Sequence, residues 1–407
     1  MSLLSLPNEL LIQISDELKD DLGDFGSFVY THQWLELLLE DTLIDLVFNT
    51  QSRIWGREVM FSAANRGDAV TVRSLLDRGI ISFVYDFPMI PQDFLHFAAK
   101  TESYTTICTL LACGVPPSVH SRSGETPLCA AAKEGNLGAV KAFIESGKVN
   151  INAGDAWNRT PLWLAASIGD EEIVSALLNL ENIEVNSCNV DWDSTAGRTP
   201  LAIACCLGHG SVVRELLADG RVEVNTQDEA GLTPIHSSVK YRHRDALRLL
   251  LSHPSVNILT PCKRGRTPLH TAAEIGNQKA FKKLLHYPQI TNPDILAGDD
   301  WTPLGLAAWN DHGDIVKALV KDGRADLNRI AGVGQTAIVL AAKRESFWVL
   351  EVLLHARAVD VYKRGETDGV SFAEFVERGS NLRLKLIWRR KLRVVRNPDT
   401  GPSDLTM

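Results

Sequence analysis

The sequence predicts an all-α solenoid, a stack of about ten short helix–loop–helix units, each followed by an extended finger loop. Two observations predict it: a Thr-Pro-Leu-type motif recurs along the chain, and an apolar helical pattern follows each copy. Successive copies are 33–39 residues apart, a spacing too regular to arise by chance. The units start near positions 58, 93, 126, 160, 199, 233, 267, 302, 336 and 370.

The first helix of each unit has recognisable start and stop signals. Threonine is a favourable N-cap and proline is favoured at the first helical position, as at Thr160 and Pro161. A pair of alanines follows, which lets a neighbouring helix approach closely. Glycine then closes the helix at the position where a positive φ is required. These predicted closing glycines are Gly135, Gly169, Gly208 and Gly276.

The second helix of each unit carries apolar pairs one turn apart. In the unit starting at Thr160 these pairs run from Ile173 to Leu178, which predicts one buried helix face. A loop of Val-Asn character, such as Val224 and Asn225, then returns the chain. These motifs resemble the ankyrin repeat family over about residues 57–388. The resemblance implies a stack of repeats with a concave groove that binds proteins without catalysis.

The N-terminal segment, residues 1–50, has a different character. Residues 1–55 contain ten acidic and two basic side chains, a difference of −8 that equals the net charge of the whole 407-residue chain. The remaining residues are therefore balanced in charge, which argues against non-specific binding to nucleic acids. Three short amphipathic stripes predict three helices, too few to bury a strong core alone.

This N-terminal segment resembles an F-box, a helical motif that docks on the Skp-type adaptor of cullin-RING ubiquitin ligases. A basic residue often found late in that motif is absent here, and the acid-rich face is unusual. The alternative is a helical cap on the apolar edge of the first repeat. The residues expected to contact the adaptor are Leu6, Pro7, Leu10, Leu11, Ile14 and Leu18.

Candidate partner-binding residues lie at the positions that line the groove of such repeats, on the fingers and at the ends of first helices. They are rich in tryptophan, tyrosine and arginine, the residue types enriched in interface hot spots. Their basic members cluster in the middle repeats, which predicts an acidic target segment there. The predicted groove residues are Trp157, Arg159, Trp163, Arg198, Lys240, Tyr241, Lys263, Arg264, Arg266, Asp299, Trp301, Trp309, Lys343 and Arg344.

Nothing in the sequence predicts catalysis, a cofactor or a metal site. The insertion in the 39-residue step contains Asp191 and Asp193, but Ala196 and Ala202 stand where a calcium loop needs glycine and glutamate. The histidines at 96, 236 and 270 share one repeat position, which in this family has a structural, hydrogen-bonding role. The cysteines lack histidine partners at zinc spacing.

The remaining features concern the C-terminus and the location. A tail at 389–407 begins with a basic cluster, which predicts either a capping helix with a frayed end or a nuclear-import signal. No segment has the length of a membrane span or the form of a signal peptide, so a cytoplasmic or nuclear protein is expected. The predicted function is a substrate receptor of an SCF-type ubiquitin ligase; the alternative is an ankyrin scaffold or transcriptional co-regulator.

Overall fold

The structure is a computed structural model that describes residues 48, 53–80, 93–117, 120–121, 124–190 and 196–396. These residues form twenty α-helices and one short two-stranded hairpin, so the predicted all-α repeat architecture is confirmed. The helices come in ten consecutive pairs. The chain divides into two compact units, Met1–Ser187 and Cys188–Met407, which are described separately below.

The first unit contains four helix pairs. First helices of neighbouring repeats pack side by side, and second helices form a parallel layer behind them. The helices are α1 (Arg53–Asn65), α2 (Ala69–Asp77), α3 (Asp93–Thr101), α4 (Tyr104–Ala112), α5 (Pro127–Lys133), α6 (Leu137–Ser146), α7 (Pro161–Ile168) and α8 (Glu171–Leu178).

The second unit contains six helix pairs with the same two-layer packing. Its helices are α9 (Pro200–Leu207), α10 (Gly210–Ala218), α11 (Pro234–Lys240), α12 (Arg244–Ser252), α13 (Pro268–Glu274), α14 (Gln278–Leu285), α15 (Pro303–Trp309), α16 (Gly313–Asp322), α17 (Ala337–Lys343), α18 (Phe347–His355), α19 (Phe372–Arg378) and α20 (Leu382–Arg396). One finger forms an antiparallel hairpin of β1 (Ile330–Ala331) and β2 (Gln335–Thr336), in which Ile330 pairs with Thr336.

Threonine N-caps start the first helices of seven repeats, from α5 to α17, as the motif predicts. The Oγ1 of Thr160 accepts a hydrogen bond from the N–H of Trp163 at 3.2 Å, and Pro161 occupies the first turn. Gly169 closes α7 at φ +83°, in the left-handed region where a side chain would be strained. The sequence therefore determines where α7 begins and ends.

The shared histidine position is structural, as expected. In α11, Nδ1 of His236 accepts the backbone N–H of Thr233 at 3.2 Å, so Nε2 carries the proton and donates to the carbonyl of Arg266 at 3.0 Å. Burial lowers the pKa of His236 to about 4. His270 in α13 repeats the arrangement, with its pKa also lowered to about 4 by burial. Each histidine ties a helix start to the next finger.

The last helix pair closes the second unit. Trp388 of α20 is buried and contacts Phe372 of α19 edge-on, with 5.6 Å between ring centroids. Leu382 and Leu386 on the opposite side of α20 are exposed, together with Arg389 and Arg390. The helix continues to Arg396, beyond the boundary at 388 that the sequence predicts between repeats and tail.

Candidate functional site

The finger before α7 holds Trp157 at its tip. One carboxylate oxygen of Asp155, Oδ1, accepts the backbone N–H groups of Trp157 and Arg159, each at 3.0 Å. Asn158 between them adopts φ +57°, a conformation that asparagine tolerates better than most residues. This turn presents the Trp157 side chain to solvent with 37% of its surface exposed.

Arg159 covers the Trp157 ring. Its guanidinium pairs with Oδ2 of Asp155 at 2.6 and 2.7 Å, and its Cζ lies 4.4 Å from the Trp157 centroid. A cation–π contact at an exposed site stabilises by about 0.5–1 kcal/mol. Because the ion pair and the turn fix both partners, Trp157 and Arg159 form an ordered aromatic–cation surface in the first unit.

A second aromatic–cation pair lies at the end of α11 in the second unit. The ammonium of Lys240 is 5.4 Å from the Tyr241 ring centroid, and 39% of Tyr241 is exposed. Lys263 and Arg264, on the finger before α13, are also exposed. Neither forms an ion pair with a carboxylate among the residues that the structure describes. This part of the repeat surface therefore exposes three cations, Lys240, Lys263 and Arg264.

A third aromatic–cation contact, between Arg344 and Trp309, includes a second tryptophan, Trp301. The rings of Trp301 and Trp309 meet edge-on with 5.8 Å between centroids, and Cζ of Arg344 lies 4.9 Å from the Trp309 centroid. Gly332 and Gly305 make room for Trp301: a Cβ on Gly332 would come within 2.6 Å of its ring, and one on Gly305 within 3.4 Å. Trp301 therefore packs against Gly332 and Gly305. Both tryptophans are half-buried, whereas Arg344 is exposed.

Lys343 belongs to a polar cluster beside this pair. Its ammonium lies 2.9 Å from Oδ2 of Asp368, whose Oδ1 accepts a hydrogen bond from Gln335 at 2.6 Å. Hydrogen bonds from Lys343 and Gln335 lower the pKa of Asp368 to about 2. The positive charge of Lys343 is thus partly neutralised within the repeat surface.

Three predicted groove residues are buried, so the expectation that they contact a partner directly is corrected. Arg198 is 3% exposed, with its Nε 3.4 Å from a carboxylate oxygen of Asp228. Arg266 pairs with Glu274 and, at 2.8 Å, with Asp299. Trp163 packs within α7 and is 7% exposed. These arginines connect a finger to the next repeat, and Asp299 serves as the exposed partner of Arg266.

The structure also brings together residues that the sequence prediction overlooked. In several repeats the residue just before the threonine cap contacts the residue eight positions later, at the end of the same first helix. Glu125 and Lys133 form such a pair at 3.6 Å, and Arg266 and Glu274 form another. Trp301 and Trp309 have the same spacing. Complementary residue types eight positions apart were the signal for these contacts.

Three further expectations concern the adaptor-binding segment, metal binding and membrane spans. The proposed adaptor-contacting residues, from Leu6 to Leu18, lie outside the described residues. Within the described ranges, no cluster of histidine, cysteine, aspartate and glutamate could hold a metal ion. In the same ranges, no helix is long and apolar enough to cross a membrane.

Comparison with known families identifies the repeats. A family model described as ankyrin repeats (3 copies) matches five overlapping segments that run from residue 95 to residue 364, more than half of the chain. The chain belongs to the ankyrin repeat family. Ankyrin repeats indicate a role in protein–protein interaction. The family match begins after the F-box-like segment.

Two curated proteins resemble short parts of this ankyrin protein. A probable serine/threonine-protein kinase of Dictyostelium discoideum is 44% identical over 73 residues, 17% of this chain and 9% of that protein. Rabankyrin-5 of Mus musculus is 33% identical over 107 residues, 23% of this chain and 9% of that protein. The matched regions thus span about a tenth of each relative.

Among solved structures, the ankyrin repeat domain of Bcl-3, a member of the IkappaB protein family, is similar to this chain. The match has a TM-score of 0.49 and 24% sequence identity, and it covers 57% of this chain and 99% of the Bcl-3 domain.

Proposed function

We propose that this ankyrin protein is a non-catalytic receptor that holds a target protein on the fingers and first-helix ends of its repeats. The observation that carries the proposal is the set of partly exposed aromatic side chains, each with a cation beside its ring. These pairs are Trp157 with Arg159, Tyr241 with Lys240, and Trp309 with Arg344. Half-exposed aromatic rings beside arginine or lysine combine the residue types that dominate hot spots.

The charge of this surface favours an acidic target segment. Lys240, Lys263 and Arg264 are exposed in the middle repeats of the second unit and have no described carboxylate partner. A target that places aspartate or glutamate among apolar side chains would pair with these cations while burying the rings. Electrostatic complementarity of this kind raises the association rate and depends on salt.

The repeat surface is tested by removing one of these rings at a time. Trp157→Ala and Trp309→Ala should each weaken target binding by about 2 kcal/mol while the chain stays folded. Trp348→Ala is the matched control, because Trp348 lies on the second helix α18 and is 48% exposed. Equal losses from all three variants would refute the assignment of these rings as hot spots.

The more specific proposal is that residues 1–50 attach the receptor to an SCF-type ubiquitin ligase. Its support is the F-box-like order of apolar residues around Leu6, Pro7 and Leu10. The protein would then carry out no chemistry and would raise the effective concentration of the target beside the ligase. A helical cap that only covers the first repeat remains the competing role for this segment.

Affinity purification with mass spectrometry distinguishes these two roles. The full-length protein is compared with a variant that carries Leu6→Ala, Pro7→Ala and Leu10→Ala together. A Skp-type adaptor and a cullin recovered with the wild type and lost with the variant would support the ligase receptor. Identical partner lists without adaptor or cullin would leave a scaffold whose N-terminus is a cap.

A transcriptional co-regulator is the second candidate function, because α20 exposes Arg389 and Arg390 beside the basic residues that follow them. If this cluster is an import signal, deletion of residues 389–407 should abolish nuclear accumulation of the full protein. Unchanged localisation of the truncated chain would rule this version out.

A further inference from the structure

The outer face of α20, the last of the described helices, carries apolar side chains in contact with solvent. Leu382 is 75% exposed and Leu386 is 62% exposed. They are four positions apart, so both lie on one face of the helix. Trp388, two positions after Leu386, lies on the opposite side, where it is buried against Phe372. The helix thus has two apolar faces, of which one packs on α19 and the other is exposed.

The exposed face of α20 is the side on which another helix would stack. At the two preceding junctions, the second residue of each second helix covers the first residue of the second helix before it. A Cβ added to Gly313, which starts α16, would come within 2.7 Å of the Trp348 ring of α18. Cζ of Arg383 in α20 lies 4.0 Å from the ring centroid of Phe347, which starts α18. Leu382 starts α20, and no helix among the described residues covers it.

Positive charge continues this face toward the C-terminal end of α20. Arg389 and Arg390 follow Leu386 by three and four positions, so they lie on the same side of the helix, and both are exposed. The 15 residues of α20 include seven arginines and lysines and no acidic residue. A terminal repeat needs a polar outer face to remain soluble, and two exposed leucines make this face less polar. The face is therefore suited to a helix that combines apolar and acidic side chains.

The chain itself contains a segment of that character. Residues 1–55 hold ten acidic and two basic side chains, so their net charge is opposite in sign to that of α20. The first predicted helical stripe of this segment places Leu10, Ile14 and Leu18 on one face, and Glu17 and Asp21 lie in the same stretch. Its leucines would pack on the leucines of α20, and its carboxylates would pair with the arginines. Charge complementarity therefore favours this segment over a neutral or basic partner.

We propose that the exposed face of α20, defined by Leu382, Leu386, Arg389 and Arg390, binds the acidic N-terminal segment, residues 1–47, of a second copy of this chain. We infer a second copy because the segment precedes α1 in the first unit, whereas α20 is the last described helix of the second unit. Within the second unit alone, α10 and α20 are five helix spacings apart, about 40–50 Å. The contact is heterologous, so copies would associate head to tail. Self-assembly of this kind goes beyond the proposed receptor role and does not depend on it.

The test is sedimentation velocity of the full-length chain at increasing protein concentration and at two salt concentrations. The weight-average sedimentation coefficient should rise with protein concentration at about 0.05 M NaCl. It should rise less at about 0.5 M NaCl, because salt screens the pairing of carboxylates with arginines. A chain that stays monomeric at both salt concentrations would overturn the proposal.

Two double variants locate the contact on α20. Leu382→Ser with Leu386→Ser should weaken self-association at least about tenfold, because two apolar side chains no longer become buried. Leu259→Ser with Leu296→Ser is the matched control, since both of these leucines are 40% exposed on finger loops. The control should leave self-association within about twofold of the wild type. Urea unfolding checks that each variant is folded, and an equal loss in both variants would contradict the assignment to α20.

A mixing experiment identifies the occupant of the face. Arg389→Glu with Arg390→Glu alters α20, and Glu17→Lys, Asp20→Lys and Asp21→Lys together alter the N-terminal segment. Neither variant should self-associate alone, but the mixture should, because one supplies an intact segment and the other an intact α20. Association that persists in the lysine variant alone would place another occupant, such as a second α20, on the face and overturn the proposal. A mixture that stays monomeric would overturn it as well.

Discussion

Replacement of Gly332 by alanine tests whether the Trp301 ring packs where it does because Gly332 has no side chain. Gly332 has φ +61°, and an added Cβ would lie 2.6 Å from the ring, so ring and finger must separate by roughly 1 Å to reach an ordinary contact. The left-handed backbone costs an alanine about 1 kcal/mol, and overpacking adds about 2 kcal/mol. We therefore expect Gly332→Ala to destabilise its repeats by about 3 kcal/mol.

The control is Gly323→Ala, since Gly323 has φ +77° but no atom within 4 Å of an added Cβ. The unfolding free energy of the Gly323→Ala variant should fall only by the backbone contribution of about 1 kcal/mol. Urea unfolding gives the free energies, and hydrogen exchange of peptides covering residues 296–345 shows whether the loss is local, as expected for stacked repeats. In a Trp301→Ala background, the Gly332→Ala penalty should fall to that of the control. Equal penalties for the two glycine variants, with no change in the Trp301→Ala background, would refute the packing argument.

Three further predictions concern stability. Stability should fall as the pH drops from about 6.5 towards 4. The unfolded chain binds protons at His236 and His270 in this range, whereas the folded chain, in which both pKa values are lowered to about 4, does not. The unfolding free energies in urea at pH 7 and pH 5 should differ by about 2 kcal/mol per histidine, and variants with His236→Gln and His270→Gln should show a flatter pH dependence. Arg198→Ala should lower the unfolding free energy measured in urea by about 3 kcal/mol, because it leaves the buried carboxylate of Asp228 without its cation. A loss below about 1 kcal/mol would contradict a stabilising role for the Arg198–Asp228 ion pair. Asp311→Gly should raise the unfolding free energy by about 1 kcal/mol, because Asp311 has φ +59° at the position where the preceding repeat has Gly276. An unchanged or lower value would show that the Asp311 side chain compensates for the strain.

Much of the fold could be predicted from the sequence because its signals are local. A threonine cap, a proline at the first helical position and a glycine at positive φ each act within one turn of the chain. The start of α7 at Pro161 and its end before Gly169 follow from those residues alone. The alanine pairs also predict close helix packing, and Ala165 and Ala166 are fully buried.

The candidate surface could be predicted only in part. The positions on fingers and helix ends are set by the repeat, so the exposure of Trp157 and Tyr241 follows from their place in it. The repeat position does not predict which arginine contacts a binding partner. Arg198 and Arg266 occupy equivalent groove positions, but each pairs with a carboxylate of the next repeat. That outcome depends on residues about 30 positions away in the chain.

The sequence by itself determined the repeat, its boundaries and its helical content, since each rests on contacts between residues close in the chain. Only the tertiary structure decided that Trp301 fills the space left by Gly305 and Gly332, and that Arg198 and Arg266 pair with carboxylates of the next repeat. The physical reason is that stacking brings equivalent positions of neighbouring repeats together. Side chains some 34 residues apart then determine one another's burial and charge.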